Sequence, residues 1–174
     1  MSKFTDYQFQ PFLRDAIRSL GFESPTPIQK EIIPLILRGN SAIGQAHTGT
    51  GKSHSFLIPI VERMDSSSTA LQAVIIAPTR ELSTQLYNEL AKITKGTEIR
   101  STLLIGGTDK ERAAGKLKSS PHIVVGTPGR INYMVQNSAL LVHTAKILVI
   151  DEADLAFDMG FIEDIDKVSD DYIK

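Results

Sequence analysis

Cysteine is absent from this chain of 174 residues, and aromatic residues make up only 6% of it. Without cysteine the chain has no disulfide framework and no thiolate metal site, which suits a reducing compartment. No apolar run approaches the roughly 18 residues that a membrane span needs, and the N-terminus "MSKFTDYQFQPF" lacks the apolar core of a signal peptide. These absences predict a soluble cytoplasmic protein with no membrane partner.

An excess of positive charge is absent as well. The 19 basic residues are matched by 20 acidic ones, for a formal net charge of −1, so no overall basic footprint indicates a nucleic-acid partner. A chain of this composition that binds a phosphate backbone must use a few placed groups, such as helix N-termini and single Arg or Thr side chains. Hydrophobic residues, at 41%, suffice for one core, and we expect residues 1–174 to form one domain.

Short apolar runs are what the sequence does contain. Five of them stand out, at 41–46, 71–77, 101–106, 122–126 and 146–150. They are rich in Ile, Val and Leu without alternation, which indicates strands buried on both faces of a parallel sheet. Small, polar or charged residues follow each run at once. Because ligands of open α/β sheets bind at the carboxyl ends of the strands, these five loops predict one composite site.

Segments with helical spacing lie between the runs. The apolar positions of residues 80–96 share one helical face, namely Leu82, Leu86, Leu90 and Ile93. Gly96 then stands where a C-terminal cap belongs. The last segment repeats the pattern with Ile162, Ile165 and Val168, and an early stretch, "PTPIQKEIIPLILRG", predicts a helix disturbed at Pro34. Strand alternating with helix predicts a doubly wound α/β sheet.

The stretch "GQAHTGTGKSHSF" has the pattern of a phosphate-binding loop, except that Ala46 replaces the opening glycine. Gly49 and Gly51 allow the backbone to turn its N–H groups toward an anion, and a helix beginning near Lys52 adds its positive end. Lys52 is expected to reach the terminal phosphates, and Ser53 to hold magnesium. Ala46 is compatible with this role if its position does not require a positive φ. The alternative is an ordinary glycine-containing corner between a strand and a helix.

The stretch "KILVIDEAD" predicts a buried strand that ends in an acidic loop. Asp151 is suited to magnesium, which prefers hard oxygens and tolerates one or two protein carboxylates. Glu152 is suited to orient or deprotonate an attacking water. One alternative is that Asp151 and Asp154 only cap helical turns. A metal hydrolase is less favoured, because the histidines show no ligand spacing relative to these carboxylates: His47, His54, His122 and His143.

Six motifs occur in a characteristic order: "GFESPTPIQ" at 21–29, "AHTGTGKS" at 46–53, "PTREL" at 78–82, "GG" at 106–107, "TPGR" at 127–130 and "DEAD" at 151–154. This order, which covers nearly the whole chain, resembles the first RecA-like domain of the DEAD-box ATP-dependent RNA helicases. The resemblance implies a RecA-like P-loop NTPase domain of the α/β class, with a mostly parallel sheet and helices on both faces. In this family the phosphate loop regularly begins with Ala, so Ala46 agrees with the pattern, and Ser53 keeps the hydroxyl of the more usual Thr.

The resemblance also implies residue roles toward ATP and Mg²⁺. Gln29 would read the adenine edge through its amide, Phe4 would stack on the base, and Thr26 would support the phosphate loop. Without the resemblance, Gln29 would be a polar helix residue and Phe4 a core anchor. The loop itself is expected to bind the nucleotide through Ala46, His47, Thr48, Gly49, Thr50, Gly51, Lys52 and Ser53. Catalysis would use Lys52, Asp151 and Glu152, with magnesium on Ser53 and Asp151.

For RNA, the resemblance implies contacts with the sugar–phosphate backbone of a single strand, with little sequence preference. Small and hydroxyl side chains suit a close approach of that backbone, and contacts through phosphate and 2′-OH do not depend on base identity. The residues at the matching positions are Pro78, Thr79, Arg80, Gly106, Gly107, Thr127, Pro128, Gly129 and Arg130. In isolation, "TPGR" is equally compatible with a plain turn before a helix.

The sequence ends at Lys174, before the Ser-Ala-Thr strand and the second RecA-like domain that the family pattern would place next. We therefore expect an incomplete first domain, whose sheet has an exposed edge or gap, and a parent protein in which a second RecA-like domain is its partner. The parent is expected to be an RNA-dependent ATPase, whereas this chain alone would only bind nucleotide. Two alternatives are a P-loop ATPase that acts on DNA or protein, and a non-catalytic RNA-binding module.

Overall fold

The computed structural model of the chain describes residues 2–47 and 49–173, with side chains described through Asp170. The chain divides into two compact units, Met1–Met64 with Glu89–Glu98, and Asp65–Asn88 with Ile99–Lys174. None of the helices in the described ranges has the length and apolar character that a bilayer crossing requires.

The first unit is built from helices. After a short 3₁₀ helix at Phe4–Asp6 come α1 (Pro11–Ser19), α2 (Pro27–Leu37) and α3 (Lys52–Glu62). Proline at the first helical position begins both α1 and α2, where its missing N–H has no intrahelical partner to lose. α2 packs on α3, and the contact is apolar, with Ile33, Leu57 and Ile60 fully buried.

Proline 34 lies inside α2 without ending it, so the predicted disturbance is not seen as a break. Proline removes one backbone hydrogen bond from a helix. The helix nevertheless continues to Leu37, and the N–H of its C-cap residue Arg38 donates to the Pro34 carbonyl at 3.2 Å. Gly39, with φ of +81°, then follows the end of the helix.

Residues 41–46 do not form the strand that their sequence predicts. The run is exposed up to Gln45, and the side chain of Ile43 is completely exposed. A strand needs a partner for its backbone N–H and C=O groups, and the described part of this unit contains no strand that could supply one. The run therefore stays unpaired, and this prediction was wrong.

The second unit contains a four-stranded parallel sheet in the order β2-β3-β1-β4. Its strands are β1 (Ala73–Ile76), β2 (Ser101–Leu104), β3 (Ile123–Gly126) and β4 (Ile147–Ile150). Its helices are α5 (Lys110–Leu117), α6 (Pro128–Gln136), α7 (Ala153–Asp158) and α8 (Ile162–Ile173). Four of the five predicted strands and the α/β alternation are thus confirmed. Because all strands are parallel, the loops after them lie at one edge of the sheet.

One face of this sheet carries an apolar core. Val74 and Ile76 of β1 and Val124 of β3 are fully buried in a cluster that also includes Ile131 of α6 and Val168 of α8. Burial of this kind stabilises by about 1.5–3 kcal/mol per large aliphatic side chain. In α8 the prediction holds only in part. Ile165 and Val168 are buried, but 48% of Ile162 is exposed, because it is the first residue of the helix.

α4 (Arg80–Thr94) has residues in each unit. Its predicted apolar face is confirmed, since Leu86, Leu90 and Ile93 are buried and Leu82 is half-buried. Gly96 has a φ of +77°, which is the left-handed conformation expected for the glycine after a helix.

Candidate nucleotide and RNA sites

The phosphate loop ends in two glycines with left-handed backbone. Gly49 and Gly51 have φ of +82° and +78°, and α3 begins immediately afterwards at Lys52. Gly51 is the N-cap of α3 and has no side chain that could accept the N–H groups of the first turn, which are the groups that bind anions at helix N-termini. Ala46 does not have a positive φ, so an alanine is compatible with the opening position of the phosphate loop. The predicted nucleotide residue Thr48 lies outside the described residues.

Gln29 connects α2 to the phosphate loop. Its side chain is 3% exposed. The Oε1 atom accepts a hydrogen bond from the Thr26 N–H at 3.0 Å, and Nε2 donates to the Gly51 carbonyl at 3.0 Å. A primary amide has two N–H donors and two acceptor lone pairs, so these two bonds use half of its capacity. The glutamine thus positions the loop, a role that its motif did not predict.

Thr26 lies beside the same glycine. Its methyl carbon would be 3.2 Å from a Cβ built on Gly51, and the Gln29 amide nitrogen would overlap with that Cβ. The nearest atoms to this position therefore belong to these two side chains of α2 and its N-cap. Support of the phosphate loop by Thr26 stays a prediction.

Phe4 is buried in an aromatic cluster. Only 5% of it is exposed, and its ring centroid lies 6.2 Å from that of Tyr7 and 6.3 Å from that of Phe22. Its backbone N–H donates to the Glu23 carbonyl at 3.1 Å. This is the environment of a core anchor, and the stacking of Phe4 on adenine stays a prediction.

His54 follows the predicted ligands Lys52 and Ser53 on α3. Its Nε2 lies 3.2 Å from Glu89 Oε2, and its ring meets the Phe22 ring edge-on at 4.8 Å. Burial lowers the pKa of His54 below its usual value, although the neighbouring Glu89 carboxylate acts in the opposite direction. His54 therefore carries a neutral imidazole at neutral pH.

The acidic motif begins where β4 ends. Asp151 is 7% exposed, and its N–H donates to the Ile76 carbonyl at 2.8 Å, which extends the pairing of β4 with β1 by one residue. Glu152 is left-handed, with φ of 49° and ψ of 49°. A residue other than glycine in this conformation stores about 1–3 kcal/mol of strain and occurs preferentially at functional sites. The Glu152 side chain does not cap α7.

Within the described part of the chain, no three His, Cys, Asp or Glu side chains are grouped as a multi-ligand metal site would require. His122 is fully buried, and both of its ring nitrogens have hydrogen-bond partners in the protein, whereas His143 is exposed. A hard cation that takes one or two protein carboxylates and keeps several waters remains compatible with the acidic motif.

Most of the predicted RNA residues line one groove of the second unit. The groove has a volume of about 620 Å³. Its lining includes seven of the nine predicted residues, namely Pro78, Thr79, Arg80, Gly106, Thr127, Gly129 and Arg130. Gly107 and Pro128 are adjacent in sequence but are not part of the lining. The sequence motifs of three different loops thus meet at one surface.

Arg80 and Arg130 are held differently in this groove. Arg80 is exposed, and a Cβ on Gly107 would lie 2.5 Å from its Nη1, so the glycine makes room for the guanidinium. Arg130 is 8% exposed, and its Nη1 and Nη2 donate to the Thr108 carbonyl at 3.1 and 3.2 Å. The Thr79 hydroxyl accepts the Leu82 N–H at 3.2 Å and so stabilises the first turn of α4.

Sequence motifs missed five residues that line the groove: Glu81, Lys110, Tyr133, Met159 and Phe161. Glu81 falls inside a quoted motif but received no role. Lys110 and Tyr133 lie between motifs, and Met159 and Phe161 follow the last one. No spacing signal distinguished these four from ordinary surface residues.

A parallel α/β sheet with a glycine-rich phosphate loop and an acidic loop after a buried strand defines a P-loop nucleotide-binding protein. The family described as DEAD/DEAH box helicase matches residues 26–172. The chain therefore belongs to the DEAD/DEAH box helicase family.

Relatives agree with this assignment. The chain is 55% identical to the DEAD-box ATP-dependent RNA helicase CshB of Listeria monocytogenes and 52% identical to CshB of Bacillus subtilis, over 97% and 96% of its own length. It spans 39% of each of these relatives. The solved structure of a DEAD box protein from the hyperthermophile Methanococcus jannaschii has a TM-score of 0.91 at 36% identity, over 97% of this chain and 46% of that one.

Proposed function

We propose that this chain is the nucleotide- and RNA-binding part of an ATP-dependent RNA helicase, in which residues 1–174 belong to the first RecA-like domain. The observation that carries the proposal is the family match over residues 26–172, a range that contains the phosphate loop, the acidic motif and the groove. The similar CshB proteins are named ATP-dependent RNA helicases, which supports ATP and RNA as ligands. In the parent protein, RNA-stimulated hydrolysis of ATP would separate short duplexes, with a second RecA-like domain as partner.

The residues present fit a magnesium–nucleotide ligand. Lys52 would bind the terminal phosphates, Ser53 and Asp151 would hold the ion, and Glu152 would orient the attacking water. The left-handed glycines and the uncapped start of α3 support the phosphate role. A bound magnesium ion would neutralise charge that develops on the transferring phosphoryl group. Gln29 is buried and already hydrogen-bonded to the loop. A contact between its amide and adenine would therefore be coupled to the backbone of Gly51.

Titration calorimetry of this chain with Mg-ADP and Mg-GDP tests the nucleotide site. We expect ADP to bind and GDP to bind more weakly, because the amide of Gln29 retains one donor and one acceptor that match the adenine edge. Lys52→Ala should abolish both titrations. Equal binding of the two nucleotides would keep the phosphate loop but contradict adenine selection, and binding that survives Lys52→Ala would place the ligand elsewhere.

Turnover tests the acidic motif. In a chain as long as the CshB relatives, Glu152→Gln should leave Mg-ADP affinity unchanged and lower RNA-stimulated phosphate release by about 100-fold or more. The present chain should hydrolyse ATP slowly or not at all, since arginines expected in the second RecA-like domain contribute about a thousandfold or more. Normal turnover by Glu152→Gln would contradict the role of this carboxylate.

The groove is proposed to bind a single RNA strand through its backbone. Its exposed cation Arg80 and its small residues Gly106 and Gly129 are suited to phosphate and sugar contacts. Arg80→Ala should weaken binding of oligouridylate and oligoadenylate by the same factor, because backbone contacts carry no sequence information. A factor that differs between the two oligomers would indicate that bases are read.

A further inference from the structure

Lys110 lines the same groove as the predicted RNA residues but belongs to none of their motifs. Its ammonium nitrogen lies 4.1 Å from the centroid of the Tyr133 ring, and 37% of Tyr133 is exposed. We propose that Lys110, held over Tyr133, is a phosphate-binding cation of this groove. The inference rests on the proposed function, because it requires that the groove receives RNA.

The arginine that the "TPGR" motif predicted as an RNA contact, Arg130, is already hydrogen-bonded within the protein. Arg130 is 8% exposed, and both terminal nitrogens donate to the Thr108 carbonyl, while Nη1 also lies 3.3 Å from the Thr108 hydroxyl. Turning this guanidinium toward a phosphate would leave the Thr108 carbonyl without these donors, at a desolvation cost. Arg130 is therefore a positioning residue. It fixes the turn at Thr108, and Lys110 follows two residues later at the start of α5.

Lys110 is also poorly placed for a purely structural role. It is the first residue of α5, where the helix dipole opposes a positive charge. The Asp109 carboxylate already caps the helix, because it accepts the N–H groups of Glu111 at 2.8 Å and Arg112 at 3.3 Å. The attraction that keeps the ammonium in the groove comes from the face of Tyr133 on α6.

The charges around the groove suit an anionic polymer. Its charged lining residues are Arg80, Glu81, Lys110 and Arg130. With Arg130 bonded to Thr108, Arg80 and Lys110 are the two exposed cations of the lining, and Glu81 is the acidic residue that a strand would have to avoid. Contact with Tyr133 restricts the lysine side chain before RNA arrives, which reduces the entropy lost on binding.

Salt-dependent RNA binding tests the inference in a chain as long as the CshB relatives, because residues 1–174 alone are expected to bind only nucleotide. The probe is a fluorescein-labelled oligouridylate of about ten nucleotides, followed by anisotropy. Removing one phosphate contact lowers the slope of log affinity against log salt by about 0.7 for a single strand and weakens binding roughly five- to tenfold at about 50 mM salt. We expect this of Lys110→Ala, and also of Lys110→Met, which keeps the length of the side chain. Lys116→Ala is the matched control, since Lys116 is an exposed lysine of the same helix outside the groove lining.

Two further variants separate charge from packing. Lys110→Arg should retain the salt slope, because arginine also binds phosphate and aromatic faces. Tyr133→Leu should weaken binding while the slope stays close to that of the unmodified chain, because the charge remains but is less ordered.

The possible failures are distinguishable. If Lys110→Ala matches Lys116→Ala in slope and affinity while Arg80→Ala loses binding, the groove binds RNA without Lys110, and only this inference is overturned. If Arg80→Ala has no effect either, or the unmodified chain does not bind the probe at about 50 mM salt, the proposed function of the groove fails and the inference fails with it.

Discussion

Among single residues, the two left-handed glycines of the phosphate loop differ in what surrounds them. Nothing lies within 4 Å of a Cβ built on Gly49, whereas a Cβ on Gly51 would overlap the Gln29 amide nitrogen. Both positions have φ near +80°, which costs an L-residue about 1–2 kcal/mol. Gly51 therefore carries two constraints, and Gly49 carries only one.

This difference leads to a prediction for alanine at each position. Gly49→Ala should lower the free energy of unfolding by about 1–2 kcal/mol, through backbone strain alone. Gly51→Ala should lower it by about 2–4 kcal/mol, because overpacking against Gln29 adds to the strain. Urea denaturation measures both, with Gly115→Ala as the control, since Gly115 lies inside α5 with nothing within 4 Å. Equal losses at Gly49 and Gly51 would mean that Gln29 moves aside freely.

His54 should make stability depend on pH. Burial lowers the pKa of His54 from its ordinary value of 6.5, so on acidification the unfolded chain takes up this proton first. The stability that neutral His54 contributes is fully present above about pH 6.5 and is lost as the pH falls toward the pKa of the folded state.

Denaturation between pH 8 and 5 measures this effect. We expect His54→Gln to lose less stability than the unmodified chain over that range. His143→Gln is the control, because His143 is exposed. A pH dependence that is identical in all three chains would contradict the assignment.

At the scale of single residues, the motifs predicted which residues belong to the sites better than they predicted the contacts of those residues. The phosphate loop and the acidic pair follow from their sequence patterns, and most of the groove residues follow from the resemblance to the DEAD-box helicases. The bond from Gln29 to Gly51 and the burial of Arg130 against Thr108 do not. They depend on which loops meet in space, and the pairs are separated by about twenty residues of sequence that carry no signal of the contact.

Among the elements, the sequence correctly predicted each described strand that pairs with another strand. Residues 41–46 contain a single Ile and no Val or Leu, whereas each run that became β1 to β4 contains several of these residues. The weaker apolar character of residues 41–46 agrees with their lack of pairing, because a β-strand is defined by hydrogen bonds to a neighbour, and residues 41–46 have none among the described strands. Helices were easier to predict, since α4 satisfies its backbone within itself.

One buried imidazole links the starts of three strands. His122, just before β3, accepts the Arg100 N–H at Nδ1 at 2.9 Å, and its Nε2 lies 2.8 Å from the Ser68 carbonyl. Arg100 immediately precedes β2, and Ser68 lies in the loop that leads to β1.

His122→Ala should therefore lower the free energy of unfolding by about 2–4 kcal/mol, because it leaves a cavity and two partly buried polar groups unpaired. Thermal or urea unfolding checks this result against His143→Ala, which alters an exposed histidine. A loss below about 0.5 kcal/mol would show that the network contributes nothing to the sheet.

For the whole molecule, the β4 edge of the sheet is the main liability. β4 pairs with β1 on one side only among the described strands, and its four apolar residues are half-buried. Such an edge is a template for pairing with another chain. Leu148 and Ile150 pack against the apolar core, whereas Val149 is not part of it.

We therefore expect the chain to self-associate as its concentration rises, and Val149→Lys to suppress this, because charged edge residues oppose strand pairing. Sedimentation velocity over a concentration series measures the change. Leu141→Lys is the control, since Leu141 is 59% exposed but lies outside the strands. If both variants reduce association equally, general surface hydrophobicity rather than the edge is responsible.

The left-handed backbone at Glu152 also bears on how such a protein can be improved. Glycine would relieve the strain there, and asparagine would reduce it, so a library screened for thermal stability alone would accumulate both. Each replacement would remove the carboxylate proposed to orient water. A stabilisation campaign on this chain therefore needs an activity screen in parallel, because relief of backbone strain at this position would remove a side chain proposed for catalysis.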